Sequence, residues 1–178
     1  MGAHKTLQKL TLVLGGAASG KSAYAESLVT GTARPRVYIA TAQAFDIEIE
    51  RKIEVHRLSR GPNWTTVEAP TEVEHPLSQA SDHDIVLLDC ATLWLSNLLL
   101  SDADLEGAPA RLCTALAACR APVVVVSNEV GQGIVPEHAM GRTFREAQGR
   151  LNQAIAAEAD LVVAVMAGLP LVLKGTLP

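Results

Sequence analysis

The sequence is poor in aromatic and charged residues. Phe, Trp and Tyr together make up 3% of its 178 residues, so a core must be built from Ala, Val, Leu and Ile. Charged residues contribute 19%, the net charge is −4, and the chain contains no run rich in Lys or Arg. Proteins that bind the phosphate backbone of nucleic acids normally carry a basic patch. The composition therefore argues against a nucleic-acid-binding protein.

Long apolar runs and paired cysteines are also scarce. The longest apolar stretch, Leu161 to Leu173, has 13 residues and contains Gly168 and Pro170, whereas a membrane-spanning helix needs about 20. The N-terminus lacks the apolar run and cleavage site of a signal peptide. Three cysteines without Cys-x-x-Cys spacing indicate neither a disulfide framework nor a zinc site. We expect a cytoplasmic protein without a membrane span.

Apolar segments are the feature that the chain does have in quantity. Apolar residues make up 48% of the chain, and its length suits a single domain over residues 1–178. Strand-length runs rich in Val, Leu and Ile occur at Leu10–Leu14, Val37–Ala40, Ile85–Leu88, Val123–Val126 and Leu161–Met166. Segments with helical spacing occur at Ser22–Val29, Phe45–Leu58, Ala91–Leu100 and Thr143–Ala159. This alternation predicts an α/β fold with a mostly parallel central sheet flanked by helices.

Residues 15–22, Gly-Gly-Ala-Ala-Ser-Gly-Lys-Ser, match the phosphate-binding P-loop pattern G-x-x-x-x-G-K-[ST]. An apolar strand precedes them and a helical segment follows, which is the context that the motif requires. Glycines let successive N–H groups point at phosphate oxygens, and the helix N-terminus adds partial positive charge. Lys21 can reach the β- and γ-phosphates, and Ser22 can ligate Mg²⁺. The residues predicted to contact the nucleotide here are Gly15, Gly16, Ala17, Ala18, Ser19, Gly20, Lys21 and Ser22.

Acidic residues follow two further predicted strands. A carboxylate at the end of a neighbouring strand can hold Mg²⁺ or its water shell beside the nucleotide, and we predict this role for Asp89. The alternative is an Asp that caps the helix beginning at Cys90 or Ala91. Asn128 and Glu129 follow the next strand, at the edge where ligands bind in open α/β sheets. Glu129 could be a general base, a metal-shell ligand or a helix-capping acid, and the sequence leaves these roles open.

One of the five histidines occupies an unusual place in its predicted helix. Ile49, Ile53 and His56 fall at i, i+4 and i+7, so the imidazole would face the protein rather than bulk water. The helix follows Val37–Ala40 closely enough to lie beside the nucleotide edge. A neutral imidazole there can be a general base or a nucleophile toward phosphorus. The alternative is a hydrogen-bonded core histidine, and the spacing alone favours this alternative.

Two signatures of other nucleotide-binding proteins are missing. The sequence contains no Asn-Lys-x-Asp box for guanine, and no Gly-rich kinase loop followed by a catalytic His-Arg-Asp. These absences argue against a Ras-like GTPase and against a protein kinase. The P-loop therefore indicates a small-molecule phosphotransferase.

From Leu10 to Lys174, the chain resembles the bifunctional adenosylcobinamide kinase / adenosylcobinamide-phosphate guanylyltransferase family of cobalamin biosynthesis. The motifs that carry the resemblance occur in the family's order. Besides the P-loop, they are Tyr-Ile-Ala-Thr-Ala at 38–42, Ile-Glu-Val-His-Arg at 53–57, Leu-Asp-Cys at 88–90, Ser-Asn-Glu-Val-Gly at 127–131, Gly-Ile-Val-Pro-Glu at 133–137, Gly-Arg-Leu-Asn-Gln at 149–153 and Ala-Gly-Leu-Pro at 167–170.

The resemblance implies a RecA-like P-loop fold, assembled as a trimer, and two reactions. ATP or GTP first phosphorylates the aminopropanol hydroxyl of adenosylcobinamide. GTP then guanylylates a histidine of the enzyme and releases pyrophosphate, and GMP passes to adenosylcobinamide phosphate. His56 occupies the matching position, and imidazole suits this task because it leaves phosphorus readily once protonated. The other nucleotide contacts that the resemblance implies are Ala40, Thr41, Ala42, Arg57, Leu58, Ser59, Arg60, Glu68 and Asp89.

The chain departs from the family pattern at Ala18, where many relatives have Arg, and so lacks one possible phosphate contact. Two other functions remain as alternatives. The protein could be a P-loop kinase of another small metabolite with a structural His56, or a nucleotide-binding partner protein without catalysis. A covalent adduct formed from α-labelled GTP would distinguish the guanylyltransferase from the first, and turnover of any acceptor would exclude the second.

Overall fold

The computed structural model of the protein describes residues 6–43 and 63–178, which contain a seven-stranded sheet. The strands are β1 (Leu10–Gly15), β2 (Arg36–Ala40), β3 (Trp64–Glu68), β4 (Ile85–Asp89), β5 (Val123–Asn128), β6 (Leu161–Met166) and β7 (Leu169–Lys174). Their order in the sheet is β3-β2-β4-β5-β1-β6-β7, and β7 alone of these runs antiparallel to its neighbour. The predicted α/β fold with a mostly parallel sheet is confirmed.

Both faces of the sheet are buried, as β4 illustrates. Val86 and Leu88 belong to one hydrophobic cluster, while Ile85 and Leu87 belong to a second. All four side chains are fully buried. Because successive side chains of a strand point to opposite faces, burial on both sides requires a continuous apolar run. This is the reason that the central strands are apolar throughout rather than alternating.

Helices cover the two faces of the sheet unequally. The helices in the described ranges are α1 (Lys21–Thr30), α2 (Glu74–Gln79), α3 (Ala91–Leu100), α4 (Ala108–Ala118) and α5 (Ala139–Glu158). α1 contributes Leu28 and Val29 to one hydrophobic cluster, and the other helices contribute to the opposite cluster, which contains Trp94 and Leu151. Over the described ranges, no helix is both long and apolar enough to cross a membrane.

The structure differs from the predicted elements at several boundaries. α5 begins at Ala139 rather than at Thr143, and the run Leu161–Leu173 divides into β6 and β7 at a turn where Ala167 and Gly168 have φ angles of 51° and 77°. The strands β3 and β7 and the helices α2 and α4 were not predicted. β3 contains the exposed Thr65 and Thr66, and β7 is exposed along its whole length, so neither has a pattern set by two-sided burial. The predicted helix Phe45–Leu58 lies outside the described residues.

Candidate active site

The carboxyl ends of the parallel strands bring several predicted site residues to one edge of the sheet. β1 ends at Gly15 and β5 ends at Asn128, and these two residues pair directly. β4 ends at Asp89, which pairs with Ala40 of β2. Because open α/β sheets bind ligands outside the carboxyl ends of their strands, this edge is the candidate active site.

The P-loop leads from β1 into α1, as predicted. The N–H of Ser19 donates to the carbonyl of Gly16 (3.3 Å), and the N–H of Tyr24 donates to the carbonyl of Gly20 (3.0 Å) at the start of α1. Gly20 has a φ of 91°, which glycine adopts without steric cost. The Lys21 ammonium lies across the loop and donates to the carbonyl of Gly16 (3.1 Å). The loop, its lysine and a helix N-terminus therefore converge, which is the arrangement that binds phosphate groups.

The turn between β6 and β7 packs against the P-loop from a distant part of the sequence. The N–H of Gly168 donates to the carbonyl of Ser19 (2.8 Å). A Cβ atom on Gly20 would lie 3.1 Å from the Cα of Gly168, and a Cβ atom on Gly15 would lie 2.7 Å from the carbonyl oxygen of Val165. Two P-loop glycines are therefore required by close approach of backbone to backbone, in addition to any role in contacting phosphate.

The structure excludes one of the two roles considered for Asp89. The N-cap of α3 is Cys90, whose Sγ accepts the N–H of Leu93 (3.4 Å), so Asp89 does not cap this helix. Instead, its carboxylate accepts a hydrogen bond from the hydroxyl of Tyr38 (3.2 Å). The role beside the nucleotide stays the prediction for Asp89.

Cys90 is a structural residue of this edge. The peptide N–H of Cys90 donates to the hydroxyl of Thr41 (2.7 Å), and that hydroxyl donates to the carbonyl of Cys90 (2.8 Å). Burial, followed by the neighbouring Asp89 carboxylate, raises the pKa of the Cys90 thiol to about 11. Since a thiol must ionise to act as a nucleophile, Cys90 is inert at neutral pH.

Thr41 connects the ends of β2 and β4. Its hydroxyl is engaged by Cys90, and its carbonyl accepts a hydrogen bond from Nδ2 of Asn97 (2.8 Å). Thr41 is fully buried, whereas Ala40 and Ala42 are partly exposed. Within the predicted nucleotide-contact segment 40–42, the Thr41 side chain therefore holds two strands together, and the accessible surface belongs to the alanines.

A buried polar network at the end of β5 escaped the sequence analysis. Nε2 of Gln148 donates to Oγ of Ser127 and to Oδ1 of Asn152 (2.9 Å each), and the Ser127 hydroxyl also donates to Asn152 Oδ1 (2.6 Å). The backbone of Asn128 is held by Nδ2 of Asn152 (3.0 Å) and by Oγ1 of Thr92 (2.7 Å). The available signal was a pair of amides at i and i+4 on the otherwise apolar face of α5.

Several buried side-chain polar atoms have no hydrogen-bond partner in the described part of the chain, and two of these atoms are oxygens of residues beside Gly15. They are Oδ1 of Asn128, which follows the network at the end of β5, and Oγ of Ser19 in the P-loop itself. Buried polar atoms without partners are costly and therefore rare in folded proteins. Their presence beside Gly15 is consistent with an edge that is completed by a polar ligand.

The helix-capping role considered for Glu129 is also excluded. Its Oε1 accepts the N–H of Gly131 (2.5 Å), and its own N–H donates to the carbonyl of Gly15 (3.1 Å). α5 begins only at Ala139, with His138 at the N-cap. Glu129 thus closes a turn directly beside the P-loop, and its possible roles as a base or a metal-shell ligand stay open.

The remaining predicted contacts are farther from the P-loop or outside the described residues. Glu68 ends β3 and pairs with Ala40. β3 lies four strands from β1, so a strand spacing of about 4.8 Å places Glu68 roughly 19 Å from the P-loop strand. Glu68 is too far away to contact phosphates held by the P-loop. The predicted residues outside the described ranges are His56, Arg57, Leu58, Ser59 and Arg60.

Solved structures with a similar fold are distant in sequence. The RadB recombinase is 18% identical with a TM-score of 0.51, covering 87% of this chain and 73% of its own. A prototypical ATPase from the type III secretion system of pathogenic bacteria is 10% identical with a TM-score of 0.54, covering 92% of this chain and 56% of its own. Both likenesses concern the fold alone, and they confirm the predicted P-loop NTPase architecture.

Known sequences are much more similar. The bifunctional adenosylcobalamin biosynthesis protein CobP of Pseudomonas aeruginosa is 43% identical over 167 residues, covering 92% of this chain and 96% of the relative. The protein CobU of Escherichia coli, described in the same words, is 38% identical over 181 residues, covering 93% and 99%. Residues 11–173 match the family described as cobinamide kinase / cobinamide phosphate guanyltransferase. The resemblance noted in the sequence is thus confirmed, and the chain belongs to this family of bifunctional enzymes.

Proposed function

We propose that the protein phosphorylates adenosylcobinamide with ATP or GTP, and then transfers GMP from GTP to adenosylcobinamide phosphate through a guanylylated His56. The products of the second reaction are adenosylcobinamide-GDP and pyrophosphate. The observation that carries the proposal is the family match over residues 11–173, which includes both the P-loop and the segment around His56. The P-loop geometry supplies the phosphate-binding site that both reactions need.

In the kinase reaction, the chain's own contribution is positioning and charge. The backbone N–H groups of the P-loop and the N-terminus of α1 favour the triphosphate, and the Lys21 ammonium can move from the Gly16 carbonyl to a phosphate oxygen. The acceptor hydroxyl oxygen then attacks the γ-phosphorus. The bond from that phosphorus to the β–γ bridging oxygen breaks, a nucleoside diphosphate leaves, and the hydroxyl proton is lost to solvent.

In the guanylyl transfer, His56 acts as a nucleophile. A neutral imidazole nitrogen attacks the α-phosphorus of GTP, the bond to the α–β bridging oxygen breaks, and pyrophosphate leaves. A phosphate oxygen of adenosylcobinamide phosphate then attacks the same phosphorus, and the P–N bond breaks as the imidazole takes up a proton. Two easier displacements replace a single difficult one. Arg57 directly follows this histidine and Arg60 lies four residues after it, and both would offer positive charge to the phosphates.

The residues at the sheet edge suit Mg²⁺ that arrives with the nucleotide. Ser22 is the second residue of α1, and Asp89 offers a carboxylate that accepts a hydrogen bond from the Tyr38 hydroxyl. In the described part of the chain, no group of three or more His, Cys, Asp or Glu side chains forms a metal cage. Mg²⁺ commonly takes only one or two protein ligands and completes its shell with phosphates and water. When bound, it would neutralise phosphate charge, and Ser22 and Asp89 would hold it.

We propose that the enzyme is a cytoplasmic homotrimer. The support within the structure is β7, an edge strand whose Leu169, Leu171 and Leu173 are 72%, 57% and 57% exposed. Edge strands with exposed apolar side chains pair readily with other chains. Sedimentation analysis of the purified protein tests the oligomeric state, and a monomer at micromolar concentration would contradict it.

The decisive experiment is the intact mass of the protein after incubation with GTP and Mg²⁺. We expect a mass increase equal to one GMP per chain, and reversal of that increase when adenosylcobinamide phosphate is added. ATP in place of GTP should leave the mass unchanged. If the protein phosphorylates adenosylcobinamide but never gains GMP, the kinase activity is supported and the guanylyl-histidine intermediate is excluded. A protein that phosphorylates only another metabolite would favour the alternative kinase.

A further inference from the structure

The loop between β5 and α5, residues 129–138, begins in direct contact with the P-loop. Asn128 pairs with Gly15 at the ends of their strands, and the N–H of Glu129 donates to the Gly15 carbonyl (3.1 Å). Everything that follows Glu129 in this loop therefore starts from the rim of the phosphate-binding site. A substrate whose reacting hydroxyl lies at the γ-phosphate must extend past one of the segments that border the P-loop, and this loop is one of them.

Side-chain contacts from α5 hold this loop in a defined shape. Arg145 donates to the carbonyls of Gly131 and Gly133, the latter at 3.3 Å. Arg142 donates to the carbonyls of Pro136 (3.0 Å) and Glu137 (2.6 Å). Four loop carbonyls are thus bound by two guanidinium groups, which are rigid, planar donors. The arginines fix the loop backbone, and an open cavity of about 350 Å³ lies between the loop and α5.

The fixed loop exposes apolar side chains at its tip. Ile134 is 98% exposed, Val135 is 61% exposed, and Met140, at the start of α5, is 59% exposed. Exposed apolar side chains on a loop that starts at an active site are typical of a binding surface, because covering them removes apolar area from water, which is favourable.

We propose that Ile134, Val135 and Met140 form the surface that receives the corrin ring of adenosylcobinamide and of its phosphate. This inference rests on the proposed function, which supplies the acceptor. The corrin macrocycle carries many methyl groups and is too large to enter the P-loop, while its aminopropanol hydroxyl must reach the γ-phosphate. A loop that starts at Gly15, is held by hydrogen bonds from α5 and exposes apolar side chains meets both demands. The loop thus determines acceptor affinity, whereas the P-loop determines nucleotide affinity.

The test compares Ile134→Ser with Leu100→Ser in steady-state kinetics of the kinase reaction. Leu100 is a matched control because it is 60% exposed but lies at the far end of α3, about 15 Å along that helix from the carboxyl edge of the sheet. We expect Ile134→Ser to raise the KM for adenosylcobinamide by about tenfold, the loss typical of one buried aliphatic side chain. The KM for the nucleotide should not change. Leu100→Ser should change neither constant.

Equilibrium dialysis of adenosylcobinamide, followed by its visible absorbance, gives an independent binding measurement. Ile134→Leu should keep near wild-type affinity, since it keeps the apolar area. An unchanged corrinoid affinity in Ile134→Ser would overturn the inference while leaving the proposed function intact. Loss of oligomeric state in that variant, with both KM values raised together, would overturn it in favour of an interface between copies of the chain. A wild-type protein that neither binds nor phosphorylates adenosylcobinamide would overturn the proposed function itself.

Discussion

Asp89 and Cys90 are neighbours in the chain with separate tasks at the end of β4. Cys90 caps α3 and shares two hydrogen bonds with Thr41, so it fixes the backbone at the point where strand becomes helix. Asp89 therefore does not cap the helix, and its carboxylate accepts a hydrogen bond from the Tyr38 hydroxyl. The division explains how a carboxylate at a strand–helix junction can serve a ligand without weakening the helix that follows.

Asp89→Asn should raise the Mg²⁺ concentration needed for half-maximal rate in both reactions. The reason is that a neutral amide binds Mg²⁺ or its water shell more weakly than a carboxylate does. A Mg²⁺ titration of each reaction measures the effect, and nucleotide affinity without metal should change much less. Tyr38→Phe, which keeps the carboxylate but removes the hydroxyl at 3.2 Å, is the matched control and should shift the titration only slightly. Identical titration curves for the wild type and Asp89→Asn would show that Asp89 does not contribute to Mg²⁺ binding.

Cys90 should make the stability of the protein depend on pH in the alkaline range. Its thiol pKa lies at about 11 in the folded protein and near its ordinary value of 9 once unfolded. The folded state therefore keeps a proton that the unfolded state loses, so the free energy of unfolding falls as the pH rises from about 9 to 11. Two pKa units correspond to about 3 kcal/mol. The measurement is urea unfolding of wild type against Cys90→Ser, whose hydroxyl can still cap α3 but does not ionise.

The difference in the free energy of unfolding between the wild type and Cys90→Ser should be constant below pH 8 and should decrease above pH 9. A parallel offset at all pH values would show that burial does not raise the thiol pKa. Alkylation by iodoacetamide at pH 8 gives a second check. Native Cys90 should react far more slowly than the same residue in urea, because both burial and protonation protect it.

His56→Asn should abolish the covalent GMP adduct and guanylyl transfer, while kinase activity survives at least in part. Direct in-line attack on the γ-phosphorus needs no protein nucleophile, whereas the guanylyl intermediate does. The wild-type adduct should be lost in acid and stable in alkali, as expected of a phosphoramidate. His83→Asn is the control, since the His83 side chain is 87% exposed. An acid-labile adduct that persists in both His56→Asn and His56→Ala would transfer the role to His75, His83 or His138.

At the scale of elements, the P-loop depends on the turn between β6 and β7. Gly20→Ala should destabilise the protein by about 1 to 3 kcal/mol, because alanine is disfavoured at a φ of 91° and its Cβ would lie 3.1 Å from Gly168. Gly16→Ala is the matched control within the same loop, since a Cβ there has no atom within 4 Å. Thermal unfolding without nucleotide separates the two variants. Equal melting temperatures would mean that the turn adapts to the added methyl group.

Strands buried on both faces of the sheet were predictable, and the two edge strands were not. Ile85–Leu88 and Val123–Val126 are apolar at every position because each face of the sheet is covered, and the sequence shows this directly. The edge strand β3 lacks that pattern because it contains the exposed Thr65 and Thr66. The edge strand β7 is apolar in sequence, but it continues the apolar run of β6, so the sequence did not show that the run divides into two strands. Gln148 and Asn152 gain their meaning only when α5 packs over β5 and brings them to Ser127.

The candidate site was predictable to the extent that its chemistry is local in sequence. The P-loop is eight consecutive residues, and Asp89 is marked by the end of an apolar run. Only the structure shows that Asp89 and Glu129 do not cap helices, because this conclusion depends on which groups form hydrogen bonds with their side chains. For His56, spacing alone favours a core histidine, and the family match is what favours a nucleophile.

At the scale of the whole molecule, a single P-loop should serve both reactions. Lys21→Ala should therefore reduce both kinase and guanylyltransfer rates by at least about 100-fold, the usual effect of losing one charged donor at a developing phosphate charge. Lys174→Ala is the control, since that ammonium contacts only carbonyls at the end of α5 within the described residues. The two rates are measured separately. Near wild-type activity in either one would show that this reaction uses a different phosphate site.

The contact between Gly168 and the P-loop also bears on the order in which the structure is assembled during synthesis. The P-loop is made first, yet its strand β1 lies between β5 and β6, and Ser19 receives the N–H of Gly168. Ribosomes synthesise chains from the N-terminus, and most of the sheet has emerged before residue 168 appears. A nascent chain that ends after α5 would carry the complete P-loop sequence without the turn that packs against it. The packing around the P-loop is therefore completed only near the end of synthesis of the described sheet.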